Sequence, residues 1–188
     1  ALQDVRETRG LSAALSPAWF TQTTIFPYNY QDVVIRGNAT KINSLFLREY
    51  LRQGQSVPAL SEVQRFEGGY TDIFFTGVAR DVWHCDIASL YPSVMLAFGI
   101  FPESDKLGVF GDMLARLRKF RLETKAAMRS AKGTEKSHLD ALQGTFKILI
   151  NSFYGYLGFA QGNFADFEAA AAVTAKGREL LRGMVDWL

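Results

Sequence analysis

The apolar positions of this chain change their period along its length, and each change predicts an element. In "KINSLFLREYLRQ", residues 41–53, Ile42, Leu45, Phe46, Tyr50 and Leu51 recur at three- and four-residue steps, which predicts an amphipathic helix closed by Gly54. The stretch before it, "TQTTIFPYNYQDVVIRGN", is aromatic and broken by proline, and reads as loop with one short strand. "FEGGYTDIFFTG" and "ARDVWHCDI" are rich in β-formers and predict two strands, the second ending on Asp86. "PSVMLAFG" then predicts a short helix with Pro92 in its first turn, where an N–H has no intrahelical partner. Two long helical stretches, about 109–131 and 136–154, are separated by "AKGTEKS" with Gly133, and predict a helical hairpin. A last helix is expected over about 165–188. Strands followed by helices make the expected fold class α+β.

The first helix of the hairpin carries Arg118, Arg121, Lys125 and Arg129, which at about 100° per residue fall within about 80° of arc and form one basic stripe. Leu114, Leu117 and Phe120 lie about a third of a turn away and are expected to face the partner helix or the body. On the returning helix Lys147, Asn151 and Tyr154 sit at i, i+4 and i+7, again on one face. Counted from Gly133, Arg121 lies twelve residues back and Lys147 fourteen forward. At the rise of an α-helix these are about 18 and 21 Å, so the two cations are nearly level. Such a hairpin could grip a polyphosphate between its helices, and two unrelated surface charges would give the same spacing.

Composition adds little except in the distribution of charge. The 188 residues are 48% apolar and 21% charged, long enough to bury a core as one large or two small domains. No run of about 18 or more apolar residues is present, and the start "ALQDVRETRG" lacks a secretory pattern, so no membrane partner is expected. The default address is cytoplasmic, at the nucleoid if the source is prokaryotic. One cysteine, Cys85, excludes an internal disulfide, and His84 and His138 have no zinc-ligand spacing. The net charge of +2 hides a basic segment: from Asp105 to Gly155 ten Lys/Arg stand against five Asp/Glu, a local +5 on a remainder of −3. That asymmetry suits an anionic partner, and charge alone also fits a solvated helical face.

Two separated stretches carry a resemblance. "DIASLYPSVM" and "KILINSFYGYLGF" resemble motifs A and B of the family B DNA polymerases, in the right order and at a fitting separation. Between them "RLETK", residues 121–125, is similar to the family's Arg-x-x-x-Lys on the first fingers helix, and Gln143 fits as well. "FEGGY" resembles the family's Tyr-x-Gly-Gly segment, with Phe66 in place of tyrosine. "IRGNATKINSLFLREYLRQGQSVP" is similar to the lead-in to the palm, and "AVTAKGRELL" to the helix after motif B. The resemblance implies a partial palm, a mixed or antiparallel sheet with helices, carrying an antiparallel helical-hairpin fingers subdomain. It divides the chain into a lead-in (1–65), palm with motif A (66–104), fingers hairpin ending in motif B (105–155) and a palm helix (156–188).

The resemblance also implies roles. Primer-template DNA and a dNTP become the expected partners, with two Mg2+ ions as cofactor. Asp86 is expected to bridge both ions and the Ile87 carbonyl to complete one shell, Ile87 standing where phenylalanine is commoner. Ser89 and Leu90 are expected to hold phosphates on backbone amides at the helix start. Tyr91 is expected to lie under the deoxyribose and exclude a 2′-hydroxyl. Arg121, Lys125 and Lys147 are expected on the triphosphate, Lys147 also as proton donor to pyrophosphate, and Asn151 on the nucleotide. Tyr154 and Gly155 are expected to floor the nascent base pair, and Gly68 and Gly69 to allow close approach of a template strand, where a plain turn competes. Arg118 and Arg129 match no family position and read as solvated.

The family's third motif, with its Asp-x-Asp pair, does not occur in these residues, nor do the exonuclease domain and thumb. With Ala1 in place of methionine and an apolar end at Val185, Trp187 and Leu188, the expectation is a piece of a longer polymerase, inactive alone and prone to self-association. The alternative is a non-catalytic polymerase relative kept as a DNA-binding or scaffolding module. Such a module needs the cations but not Asp86.

Overall fold

The computed structural model describes residues 1–187; Leu188, the end of the expected last helix, lies outside the described residues. Helices α1 (Leu2–Thr23), α2 (Tyr30–Ile35), α3 (Asn38–Arg52), α4 (Leu90–Phe98), α5 (Val109–Ser130), α6 (Gly133–Leu157) and α7 (Phe167–Trp187) follow one another along the chain. Helix α6 packs against α1, α3, α4, α5 and α7. It can do so because Phe146, Leu149, Ile150, Phe153, Tyr156 and Leu157 recur at helical spacing and are all buried.

The centre of the core is aromatic. Phe46 from α3 stacks on Tyr156 at 5.3 Å and on Phe110 of α5 at 5.8 Å, and lies 5.2 Å from Phe164. Phe110 meets Phe153 edge to face at 5.1 Å. Polar groups at the rim fix the register of these rings. The Tyr156 hydroxyl donates to Asn43 Oδ1 at 2.7 Å and accepts from the Phe164 amide at 3.1 Å. Tyr50 donates to Asp105 Oδ1 at 2.7 Å, and Asp105 Oδ2 accepts from the Phe110 amide at 2.6 Å, so one carboxylate ties α3 to the first turn of α5. Burial pushes the Tyr50 hydroxyl up to about 12. Asp166 caps α7 by accepting from the Ala169 amide at 2.8 Å.

The helical expectations hold to within a few residues. The hairpin is α5 and α6, joined by Ala131 and Lys132 alone, with Gly133 at φ +58 opening the return. The short helix begins at Leu90 and includes Pro92 in its first turn, and Gly54, at φ +65, follows the end of α3. Of the loop and strand expected over residues 21–38, residues 24–29 and 36–37 are irregular, but the rest is the end of α1, all of α2 and the start of α3, and the Asn29 cap of α2 accepts from the Asp32 amide at 2.8 Å. Helix α1 has no clear apolar stripe to predict it. It docks through its last turns, where the Thr145 hydroxyl reaches the Ala18 carbonyl at 3.2 Å.

The α+β expectation is overturned. Among the described residues there is no strand, so the palm sheet is absent and the architecture is all helical. Residues 66–77 and 79–87, the two expected strands, run as irregular chain. Ile73, Phe74, Phe75, Val82 and Trp83 are all more than 65% exposed. A strand is stabilised by pairing its backbone groups with neighbours, and two short segments without further sheet partners do not meet that need.

Helix α1 is also held by Lys41, whose side chain is fully buried and makes no ion pair among the described residues. Its ammonium donates to Gln22 Oε1 at 2.8 Å and lies 4.7 Å from the Trp19 ring centre. Burial lowers the Lys41 pKa below 10.5. The folded state therefore binds fewer protons than the unfolded one between the lowered value and 10.5, and stability rises with pH across that window. Lys41→Met is expected to flatten that rise, read as the difference between parent and variant urea midpoints at successive alkaline pH values. Tyr156→Phe is expected to lower stability by about 1–3 kcal/mol in the same denaturation experiment, because it leaves the buried Phe164 amide unpaired.

Candidate functional site

The irregular stretch after α3 ends in a turn that aims a set of side chains at the hairpin. Ser89, the residue before α4, has φ +53 and ψ +54. A left-handed conformation costs a non-glycine residue about 1–2 kcal/mol, so the contacts around it must hold it there. The Ser89 hydroxyl makes no capping bond to α4; instead Arg121 Nη1 of α5 comes to 3.5 Å from it. Arg121 Nε is buried with no hydrogen-bond partner, and the guanidinium has no ion pair among the described residues. That is a cation held without its anion.

Tyr91 follows two residues later. Its ring lies 4.3 Å from that of Tyr154 on α6, which joins the two motif stretches directly. Burial raises the Tyr154 pKa, with Tyr91 adding to the effect. The loop at 67–69 closes over the same place. Arg178 of α7 donates to the Gly68 carbonyl at 2.6 Å and pairs with the Glu67 carboxylate at 3.1 Å, while the Thr174 hydroxyl donates to the Glu67 carbonyl at 2.9 Å. Gly68 and Gly69 thus sit against α7 and Tyr91.

The remaining expected residues divide by face. Lys125, Lys147, Asn151 and Gly155 are exposed, and Lys125 and Lys147 make no ion pair among the described residues, whereas Arg116 and Lys119 pair with Asp112 and Glu123. Arg118 and Arg129 are exposed, as expected of a solvated face. Leu114 is buried, and Phe120 meets Phe146 of α6 at 4.8 Å, so the apolar side of α5 faces its partner and the cations are left outside. Leu90 is half-buried at the helix start. Asp86 and Ile87 lie in irregular chain just before the turn, Asp86 exposed and Ile87 half-buried, so Asp86 does not end a strand. No group of three or more His, Cys, Asp or Glu side chains is arranged to hold a metal ion among the described residues.

Thr174, Gly177 and Arg178 were not singled out from the sequence, although "AVTAKGRELL" was. Their spacing of i, i+3 and i+4 puts them on one face of α7, the signal that could have found them. A separate cleft of about 740 Å³ lies between residues 61–64 and the start of α7. Glu62, Glu103, Asp166 and Glu168 line it, and that charge makes it unsuited to phosphate.

Comparison with known proteins gives one answer at three levels. Residues 98–188 match the family model described as DNA polymerase family B, a match that begins beyond the Asp86 to Tyr91 stretch. The chain is 29% identical over 204 residues to a DNA polymerase of Archaeoglobus fulgidus, covering 97% of this chain and 26% of that protein. DNA polymerase 1 of Pyrococcus abyssi is 30% identical over 140 residues, covering 63% of this chain and 18% of that protein. The chain thus spans about a quarter or less of the length of these relatives. The family B DNA polymerase structure from Pyrobaculum calidifontis shares the fold with a TM-score of 0.81 at 23% identity, over 99% of this chain and 28% of that one. The chain is thus similar to family B DNA polymerases, through the family model over its C-terminal part and through an archaeal DNA polymerase over nearly all of its own length, and it shares its fold with a solved structure of that family.

Proposed function

We propose that this chain supplies the nucleotide-binding part of a DNA-directed DNA polymerase, which transfers a deoxynucleotide from a dNTP to a primer 3′-hydroxyl on template DNA. One observation carries the reading: the hairpin brings Arg121 to Ser89 and Tyr154 to Tyr91, so cationic and aromatic groups far apart in sequence converge on one turn. Arg121 fits the triphosphate because its guanidinium has an unused, buried donor that an anion would satisfy. Ser89 and Leu90 present first-turn amides of α4, which have no intrahelical partner, to the same phosphates. Lys125 and Lys147 add point charges from the two arms of the hairpin, and Lys147 would return a proton to the leaving pyrophosphate. Inward rotation of the hairpin, residues 105–155, would align the reacting atoms. Tyr91 screens the sugar, Asn151 meets the nucleotide, and Tyr154 with Gly155 supports the nascent base pair.

The donor chemistry near Ser89 fits magnesium in part. One exposed carboxylate, Asp86, and the Ile87 carbonyl are hard oxygen donors, and magnesium commonly takes one or two carboxylates with the rest of its shell from phosphates and water. These two residues would hold it. When bound, it would polarise the phosphoryl oxygens and lower the charge at the transferring group. A second carboxylate has to come from outside this set, so the 188 residues alone are not expected to extend a primer.

Asp86→Ala in the polymerase carrying this chain is expected to abolish primer extension, measured on a gel, while duplex binding in a mobility-shift titration changes little. Unimpaired extension would remove Asp86 from the chemistry. Tyr91→Ala is expected to raise ribonucleotide use relative to deoxyribonucleotide use. An unchanged ratio in single-nucleotide kinetics counts against the sugar screen.

A further inference from the structure

We propose that Gly69 and Gly177 are positioning residues for Tyr91, and that the bare backbone at these two places sets how strictly the site rejects a ribose. This rests on the reading of Tyr91 as the sugar screen. The Tyr91 hydroxyl makes no hydrogen bond among the described residues, so packing alone fixes the half-buried ring. Three sides are closed. Tyr154 stands 4.3 Å away, centre to centre. A Cβ on Gly177 would come within 3.2 Å of Tyr91 Cε1, and a Cβ on Gly69 within 2.6 Å of its hydroxyl oxygen.

Neither glycine has a positive φ, so backbone conformation does not demand glycine at either position, and space does. The walls are also harder to move than the ring. Gly177 is buried on α7 beside Val173 and Thr174, which are fully buried. The 67–69 loop is latched to the same helix by Thr174 and by Arg178, whose side chain is only 16% exposed. Helix α7 therefore provides one wall and holds the other. A methyl group at Gly69 would overlap the Tyr91 hydroxyl and one at Gly177 would press on the ring by a few tenths of an ångström, so the ring would shift away from these walls, towards the side taken here as the nucleotide side.

The test uses Gly69→Ala and Gly177→Ala, the second of which also favours helix and so should fold. In the 188-residue chain, both are expected to shift the aromatic NMR resonances of Tyr91, which feel the ring current of Tyr154. In the polymerase carrying the chain, kcat/KM for ribonucleotides is expected to fall about threefold to thirtyfold more than that for deoxyribonucleotides, the scale of coupling between residues in contact. In a Tyr91→Phe background the Gly69→Ala effect should vanish, because its contact is with the hydroxyl oxygen, while the Gly177→Ala effect should remain, because its contact is with a ring carbon. Unmoved Tyr91 resonances, equal losses for both sugars, or a Gly69→Ala effect that persists without the hydroxyl would each overturn the proposal. If the resonances move but Tyr91→Ala itself leaves the sugar preference unchanged, the sugar-screen reading fails and the proposal with it.

Discussion

The structure depends on the two-sidedness of α6. Its period of 3.6 residues sends Phe146, Leu149, Ile150, Phe153, Tyr156 and Leu157 into the core, and the same period leaves Lys147, Asn151 and Gly155 outside. Neither set can rotate without the other. The stack of Tyr156 on Phe46, with the Tyr156 hydroxyl bonded on both sides, fixes the rotation of the helix about its axis. The position of Tyr154 against Tyr91 follows from it. Core packing and site geometry are in this sense one constraint, which places the motif B residues on a rigid element, where directed side chains are best held.

Helix α5 is arranged on the same plan with a different outcome. Its apolar side meets α6 through Leu114 and Phe120, and Asp105 anchors its first turn to Tyr50 of α3. Outward it carries Arg116 and Lys119, paired with Asp112 and Glu123, and Arg118, Lys125 and Arg129, which make no ion pair among the described residues, while Arg121 turns inward. Leaving those charges unpaired lowers stability through mutual repulsion, and that cost makes sense where an anion is to be bound. The contrast with the cleft beside the start of α7 is instructive. That cleft has a mostly acidic lining, which disfavours an anion.

What was legible in the sequence follows from which forces are local. Helices α3, α5, α6 and α7 were readable because each carries an apolar face at helical spacing, and caps and breakers such as Gly54 and Gly133 mark their limits. Helix α2 carried a readable Asn29 cap that the neighbouring aromatic residues and proline obscured. Helix α1 has no comparable stripe; its docking depends on Gln22 and Lys41, a buried polar contact across 19 residues that no local pattern encodes. The strands failed for the complementary reason. "DIFF" and "VWHCDI" have the composition of strands, but composition states only a preference, and the pairing that would realise it is a non-local property.

The site divides along the same line. Ser89, Tyr91, Arg121 and Tyr154, singled out through the resemblance, lie close together because they sit on or beside helices whose faces the sequence specifies. Asp86 does not have the expected setting, since that depended on a strand that does not form. Thr174, Gly177 and Arg178 went unread because their work is done at the other end of a contact, on a loop more than a hundred residues earlier. A glycine whose purpose is to leave room has no side chain to announce it. Only the identity of its neighbour, here the ring of Tyr91, turns that missing Cβ into a steric requirement.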